Sequence, residues 1–463
     1  MFGGLLISLT HSLGAFSLNS FHEPSTMHTV LGVATLPAPQ KKSRIQFTAL
    51  GYYAHASRAK VGSVRDETAS IFSNNGGPTT VELGDRLGRL NMLGLLLGDG
   101  PSPYTEEEKF ENKRDITVLH KAYTDIAAEG TDAAPYISPT YSDPNDIYGR
   151  YSTRLKYERF GARGSLEYAF QSGLSVAVRS GLAQYTINPL YRVYGGATLD
   201  DGEWSTTILE ATGVKKAIND ALMTSAKRNS IADLLGRDFG KVVTTQPEDT
   251  SIEIVWSKSY VMQDAQGDDV VTVIPHVGMA FTLPTGHKAN TKKVFDISLG
   301  NDGFYAASFE GSLNFDFPGM LRFGLGGSVT LFDDDSRKMY APSSPYQAGI
   351  YPWSATVTKR PGALWKAHAS VVAPHFIDFL NAYFSYEYVS HEKDSITITG
   401  SDAALFLPEK LAKDGEYSAQ LIHLGFDYEV TPALKFGLAI QSVFNAKKCW
   451  KTTTMGGSFT FVF

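Results

Sequence analysis

The pair of neighbouring side chains whose types could support acyl-transfer chemistry is His368 and Ser370. A histidine within hydrogen-bond reach can act as the base that activates a serine nucleophile. The two residues are two positions apart, so in an extended segment both side chains lie on the same face. No Asn-Gly pair follows Ser370, and a solvated histidine and serine is the better interpretation. We therefore expect no enzymatic activity.

Three consecutive aspartates, Asp333, Asp334 and Asp335, are candidate ligands for a hard cation, because such ions prefer carboxylate oxygens. Successive side chains of an extended chain alternate in direction, so three adjacent aspartates cannot all point at one ion. The single cysteine, Cys449, excludes an internal disulfide framework and a zinc cluster built from several cysteines. We therefore expect no metal site and no cofactor.

A larger set of ionisable residues shares one face of the extended segments described below. If these segments close into a barrel, that face lines the lumen. The charges could line a water-filled pathway and set its selectivity, or they could pair across the lumen into a plug of salt bridges. Both interpretations are open, and we favour a pore. The predicted pore-lining residues are Arg163, Glu167, Arg179, Glu310, Asp316, Arg322, Lys366, His368, Glu387, His423, Asp427 and Lys435.

The elements that must position these residues are long segments with period-two alternation, which is typical of transmembrane β-strands. In one example Phe436 and Leu438 lie on one face, with Lys435 and Gly437 on the other. Short connections that contain Pro or Gly alternate with long ones over 58–150, 188–250, 333–360 and 392–414. An even number of strands keeps both ends on the periplasmic side. The predicted strands are 44–57, 151–170, 174–187, 251–262, 270–284, 292–316, 320–332, 361–373, 377–391, 416–429, 433–446 and 452–463.

The composition also favours an all-β transmembrane antiparallel barrel of about twelve strands, with ten to fourteen possible. Only 19% of the residues are charged, the mean hydropathy is −0.15, and no apolar run reaches the roughly 20 residues that a spanning helix needs. A soluble β-sandwich is the alternative, but its strands average about half this length. The net charge of −6 gives no basic surface for nucleic acid.

The last strand carries aromatic residues at every second position and ends on one of them: Phe459, Phe461 and Phe463. This pattern resembles the assembly signal of bacterial outer-membrane β-barrels. The resemblance implies location in the bacterial outer membrane, contact with outer-membrane lipid and lipopolysaccharide, and recognition by the barrel-assembly machinery.

A second resemblance concerns Phe281-Thr-Leu-Pro-Thr-Gly286 followed by Asp296. It is similar to a motif in the twelve-stranded barrels associated with phenol-degradation operons. That group is thought to move hydrophobic compounds across the outer membrane, and the resemblance implies the same barrel here. The signature of the long-chain fatty-acid transporters is not matched, because Asn188-Pro189 is followed by Leu190.

Outside the barrel, we expect a signal peptide over 1–17 and a periplasmic N-terminal segment over 18–43, with the barrel over 44–463. The two largest outer loops, 58–150 and 188–250, contain predicted helices at Ile116–Ala128 and Lys215–Phe239. Such long loops are usually functional or disordered. They could fold inward and narrow the pore, or pack against one another on the outer face.

These features predict passive passage of a small or hydrophobic solute through the barrel. The alternative is a surface-exposed structural or adhesion barrel with a sealed lumen. Measurable conductance separates the two.

Overall fold

The computed structural model describes residues 43–60, 80–83, 150–194, 237–342, 351, 353–400 and 403–463, with the short pieces 5–6, 16–18, 21–23, 35–36 and 90–91. Twelve long strands form one closed antiparallel barrel. In chain order they are β1 Arg44–Ala56, β2 Arg150–Ala169, β3 Leu174–Tyr194, β4 Thr250–Ser257, β5 Asp269–Leu283, β6 Ala306–Asp316, β7 Arg322–Phe332, β8 Leu364–Ile377, β9 Leu380–His391, β10 Tyr417–Thr431, β11 Leu434–Lys447 and β12 Thr453–Val462.

Each strand pairs with its neighbours in the sequence, and the first strand closes the barrel on the last. In this closure Phe47 lies opposite Phe461, and Thr48 opposite Thr460. The two threonine hydroxyls are 3.0 Å apart and hydrogen-bonded. The predicted fold class, strand number and β1–β12 closure are therefore confirmed.

The exterior of the barrel is apolar, and the alternation along each strand creates it. In β10 the side chains of Leu424 and Phe426 are exposed, whereas those of His423 and Asp427, which flank this stretch, are buried. Leu438 on β11 exposes 67% of its surface. A wall of exposed leucine, valine and phenylalanine around a polar interior is the lipid-facing surface of a transmembrane β-barrel.

Aromatic side chains gather at the end of the barrel that carries the short turns. The exposed members of this group are Phe170, Phe323, Phe379 and the terminal Phe463. Aromatic girdles of this kind mark the membrane interface of outer-membrane barrels. Both the start of β1 and the end of β12 lie at this end, since Ile45 and Phe463 exchange backbone hydrogen bonds of 3.1 and 2.8 Å.

One side of the barrel is taller than the rest. Strands β2 and β3 have 20 and 21 residues, whereas β6 and β7 have 11 each. An additional strand, Val242–Pro247, pairs with the upper part of β3. Gln184 on β3 bonds Thr245 at 2.9 Å on the exposed outer surface, where Phe160 and Val243 are also exposed.

The strand prediction was wrong on this taller wall in two places. The predicted loop 188–250 contains the end of β3 and the strand Val242–Pro247. The predicted strand 251–262 ends at Ser257, and Tyr260–Gln263 instead forms a hairpin with the start of β5. Val242 lies on the buried face of this strand and Val243 on the exposed face, so the segment does not alternate in hydrophobicity.

The predicted strand 292–316 was wrong over its first half, because β6 begins only at Ala306. Gly300 (φ 136°), Asp302 (φ 54°) and Gly303 (φ 89°) adopt positive φ values that a strand does not accommodate. Residues 284–305 instead turn inward and bury Phe295 and other apolar side chains. We call residues 284–305 the in-folded segment.

The N-terminal region departs from the expected periplasmic segment 18–43. The strand Phe21–Glu23 pairs with Phe16–Leu18 and, in parallel, with Cys449–Trp450. Cys449 follows β11 at the end of the barrel opposite the short turns, so this part of the segment is not at the periplasmic end. The pairing satisfies backbone groups on one edge of the buried strand Cys449–Trp450.

Several further predictions lie outside the described residues. They are most of the signal peptide 1–17, most of loop 58–150 with its predicted helix Ile116–Ala128, and the predicted helix Lys215–Phe239 except for its last three residues. Those three residues are not helical, and Asp238 forms a bridge with Lys293.

Two outer loops, the one between β7 and β8 and the one after β9, form a small sheet of their own. Strands Asp335–Ala341, Trp353–Arg360 and Ser395–Thr399 pair antiparallel, and the helix α1, Pro408–Asp414, lies beside them. Val357 and Phe406 form part of its buried core. Within the described ranges, no helix has the length and apolar character of a membrane span.

Inward-facing glycines make room for large luminal side chains on the neighbouring strand. Gly161 on β2 lies directly opposite Tyr52 on β1, and a Cβ at Gly161 would overlap the Tyr52 ring. Gly425 on β10 lies opposite Tyr383 on β9 in the same way. An aromatic ring packed across a strand glycine covers the bare backbone and fixes the register of the pair.

We predict that Gly161→Ala destabilises the barrel by about 1–3 kcal/mol, because the added methyl group overpacks against a ring that is held in place. The matched control is Gly51→Ala on the outer face, where a Cβ meets nothing within 4 Å. Urea unfolding of the refolded protein in detergent measures both. Equal stability of the two variants would contradict the packing argument.

Candidate functional site in the charged lumen

The structure places every predicted pore-lining residue on the buried or half-buried face of its strand. None of them falls among the exposed side chains. Their role as the lining of an open pathway stays a prediction. The residues are Arg163, Glu167, Arg179, Glu310, Asp316, Arg322, Lys366, His368, Glu387, His423, Asp427 and Lys435.

A first cluster surrounds Glu248, at the break between Val242–Pro247 and β4. Its carboxylate accepts hydrogen bonds from Tyr52 and Arg159 and pairs with Arg163. The Tyr52 ring also lies under the Arg159 guanidinium, 5.2 Å from the ring centroid. Glu248 is 1% exposed. We call these four residues the arginine hub.

Sequence reasoning found Arg163 in this hub but missed its centre. Glu248 fell within the predicted loop 188–250, because Val242–Pro247 does not alternate in hydrophobicity. Arg159 was detectable, since it is four residues from Arg163 and shares its inward parity on β2. The partner that holds both arginines has no local signal, because it comes from a strand break 85 or more residues away.

Below the hub, towards the short turns, a second group of charges lies on the same wall. Arg179 pairs with Glu253 at 2.7 Å, and Glu253 is 1% exposed. Glu167 is likewise buried, and it attracts both Arg179 and Arg44 electrostatically. Glu253 was missed because the predicted strand 251–262 had mixed faces.

The opposite wall carries a belt of ionisable residues on β5, β6, β8, β9 and β10. His276 Nε2 is 2.9 Å from Glu310 Oε1, and His423 Nε2 is 3.3 Å from Glu387 Oε2. Lys366 lies between the two carboxylates, which both attract it. We call the set His276, Glu310, Lys366, His368, Glu387 and His423 the histidine belt.

The remaining predicted residues lie nearer to the short turns. Arg322 pairs with Asp316 at 2.7 Å, and Lys435 pairs with Glu429 at 2.7 Å. Asp427 is buried, and Lys435 attracts it. The structure therefore does not bring Glu387 and Lys435 together, since each belongs to a different group.

The candidate chemistry of His368 and Ser370 has a simple structural setting. Both are on the luminal face of β8, where His368 lies opposite Gly326 and Ser370 opposite Gly324. A Cβ at Gly326 would be 2.6 Å from His368 Cε1, so the imidazole lies across this glycine. Among the described residues, no group of three or more His, Cys, Asp or Glu is arranged to hold a metal ion.

At the end opposite the short turns, the luminal side chains are apolar. One buried cluster includes Phe332 on β7, Leu364 on β8, Val389 on β9, and Tyr417 and Leu421 on β10. All five are 6% exposed or less. The cluster also includes Phe304 of the in-folded segment. The outer part of this wall is therefore apolar.

The in-folded segment is fixed by two carboxylates. Asp249, next to Glu248, accepts hydrogen bonds from the backbone N–H groups of Gly286, at 2.7 Å, and Asn301. Asp296 accepts from Tyr185 and from Asn290 N at 2.7 Å, and it is 3.1 Å from His287 Nε2.

The environment of Asp296 favours its charged form. Burial alone would raise the pKa of this carboxyl group. The hydrogen bonds from His287, Tyr185 and the Asn290 backbone outweigh burial and hold the pKa of Asp296 below its usual range. The segment is therefore anchored by an ionised aspartate at neutral pH.

No family model and no curated protein matches the chain. Among solved structures, an outer membrane channel from Pseudomonas putida F1 aligns at 8% identity and a TM-score of 0.47, over 92% of this chain and 97% of that chain. The Pseudomonas putida toluene transporter TodX aligns at 8% and 0.29, over 100% and 99%. The NanC porin aligns at 10% and 0.28, over 65% and 93%. The likeness concerns barrel architecture alone.

We predict that Glu248→Gln destabilises the barrel by about 3–5 kcal/mol, because it leaves two buried arginines without their counter-charge. Glu158→Gln is the control, since Glu158 is partly exposed and pairs with the exposed Lys156 at 3.0 Å. Loss of that surface pair should leave the urea midpoint nearly unchanged, because solvent screens both charges. Urea midpoints of the refolded variants measure the difference, and similar midpoints would show that the hub does not stabilise the fold.

Proposed function

We propose that this chain is a bacterial outer-membrane channel for the passive passage of small polar or hydrophobic solutes. The observation that carries the proposal is one closed barrel with an apolar exterior and an interior rich in ionisable side chains. Charged rings inside a barrel are the device by which channels select among solutes.

The distribution of the charges along the lumen supports selection. The arginine hub and the Arg179–Glu253 pair occupy one wall, and the histidine belt occupies the wall formed by β5 to β10. The Arg322–Asp316 and Lys435–Glu429 pairs follow near the short turns. A solute that crosses the lumen passes each group in turn.

The apolar cluster at the outer end supports hydrophobic solutes as part of the proposed substrate range. It is formed by aliphatic and aromatic side chains such as Leu364 and Phe332. A constriction of this kind excludes water and ions while it is closed. An apolar solute would contact it without losing favourable hydration.

A second candidate function is a surface anchor with a sealed lumen, and it also has a specific observation in its favour. Glu387 is 4% exposed and His423 is 0% exposed, so the belt is packed rather than bathed in water. The outer sheet with Trp353–Arg360 at its centre would then provide the contact surface. Conductance separates the two functions.

The proposed partners follow from the lipid-facing wall. Phe459, Phe461 and Phe463 all point outward and are at least 38% exposed, whereas Ser458 and Thr460 are buried. An exposed aromatic stripe on the closing strand supports recognition by the barrel-assembly machinery. The apolar exterior supports contact with outer-membrane lipid and lipopolysaccharide.

We predict that the refolded protein conducts ions in a planar bilayer and that luminal charge reversal changes its selectivity. Glu387→Lys should shift the reversal potential towards anions, and Lys435→Glu should shift it towards cations. Each change alters the barrier for an ion by about 1.4 kcal/mol, which is about tenfold in the permeability ratio.

The control for this measurement is Lys156→Glu, because Lys156 is exposed on β2 and pairs with Glu158 on the outer surface. Its reversal potential should match that of the unaltered protein. A folded, heat-modifiable barrel without any conductance would support the sealed anchor instead.

A further inference from the structure

The connection between β4 and β5 extends beyond the barrel wall at the end that carries the short turns. Ser257, the last residue of β4, donates its backbone N–H to Gly173 O at 2.9 Å in the adjacent turn. On the other side, β6 ends at Asp316 and pairs with β5 no further. The chain continues past both neighbours as a hairpin, in which Tyr260–Gln263 pairs with the start of β5. We call residues 258–271 the protruding hairpin.

The protruding hairpin faces the periplasm, because the short turns of outer-membrane barrels lie on that side. Every residue from 260 to 270 is exposed. Tyr260 and Met262 on one face expose 46% and 55% of their surface, and Val261 on the other face exposes 52%. Exposed apolar side chains that lie together mark a surface that binds a partner.

One backbone edge of the protruding hairpin has no partner strand among the described residues. Lys258 donates its N–H to Pro275 O at 3.4 Å and so faces β5, whereas the N–H of the preceding Ser257 points the other way, to the turn after β2. The backbone groups of successive residues alternate in direction along a strand. The N–H and C=O groups of Ser259 and Val261 therefore point away from β5, on the side where the neighbouring turn has already ended.

The sequence of this edge does not protect it. Proteins commonly block an open strand edge with a charged residue or a proline. Tyr260–Gln263 contains neither, since it reads Tyr-Val-Met-Gln. An open edge of this composition is a template to which a further extended segment can be added.

The charges of the protruding hairpin indicate the chemistry of that segment. The tip carries the exposed aspartates Asp264, Asp268 and Asp269, and the one cation of the hairpin is Lys258. Asp264 Oδ1 accepts hydrogen bonds of 2.9 Å from the backbone N–H groups of Gln266 and Asp268, which fixes the turn. A segment that lies along this edge therefore meets a concentrated negative charge, and basic side chains complement it.

We propose that the protruding hairpin is a docking site for an extended, basic segment of a periplasmic protein. The segment adds to the edge of Tyr260–Gln263 as a further β-strand. Backbone hydrogen bonds with Ser259 and Val261 hold it, and its lysine or arginine side chains lie beside the aspartates of the tip. This inference names a partner of the barrel and does not depend on whether the lumen conducts.

The test uses the full chain, refolded into nanodiscs of zwitterionic lipid, and a short labelled peptide of alternating Thr and Val with Lys at both ends. Fluorescence anisotropy measures binding, which should be saturable. Val261→Pro should weaken it by about tenfold, because proline removes an N–H from the open edge. The matched control is Val261→Thr, which keeps the N–H and a β-branched side chain and should bind like the unaltered protein. Asp268→Asn should weaken binding and reduce its salt dependence.

Amide hydrogen exchange tests the same edge in the unaltered protein, so it does not depend on the folding of a variant. The N–H of Val261 should exchange faster than that of Tyr260, which faces Val273 on β5. Saturating peptide should slow exchange at Val261 by about tenfold and leave Tyr260 unchanged. Exchange at Val261 that ignores the bound peptide would overturn the proposal.

The remaining outcomes identify other occupants. Equal peptide binding to Val261→Pro, in a folded and heat-modifiable barrel, would overturn docking at this edge. Equal binding to protein-free nanodiscs would assign the peptide to lipid and would overturn it as well. Self-association of the unaltered protein that Val261→Pro abolishes would identify a second copy of the chain as the occupant, against the proposed periplasmic partner.

Discussion

The buried carboxylate of Glu248 is the interaction on which much of the remaining structure depends. It neutralises two arginines inside the barrel, holds the Tyr52 hydroxyl, and occupies the break between Val242–Pro247 and β4. The adjacent Asp249 uses the same break to bind the backbone of the in-folded segment. One irregularity in a strand thus connects the taller wall to the in-folded segment. Without Glu248 both arginines would lack a counter-charge inside the barrel. The conformation of the break is therefore as constrained as that of a regular strand.

The lumen is organised by two complementary rules. Most of its charges are held in close pairs, such as Arg179 with Glu253, which limits the cost of burying them. Its large side chains lie flat across glycines on the next strand, as Tyr52 does at Gly161. In the first arrangement each buried charge lies beside an opposite charge. In the second, the absence of a glycine side chain leaves room for a large side chain in a narrow barrel.

The membrane-embedded part of the fold was predictable from the sequence, because one face of each strand contacts lipid. Where one face contacts hydrocarbon, as in β10 and β11, alternation is enforced and strand limits agree within a few residues. At Val242–Pro247 the sequence does not alternate, and the strand was missed. Inward parity identified Arg163, but not its partner Glu248, because pairing across a barrel depends on stagger between distant strands. Local alternation contains no information about stagger.

The pairing of β1 with β12 joins Gln46 to Val462, so the contact that seals the barrel spans almost the whole of its sequence. Contacts with such large sequence separation form late, because the entropy of loop closure must be lost before they contribute any stability. Until the final strand is synthesised and docked, the sheet has two unpaired edges and an exposed apolar face. A nascent chain of this kind is prone to edge-to-edge aggregation. Its topology therefore makes protected delivery to the membrane a physical requirement of folding.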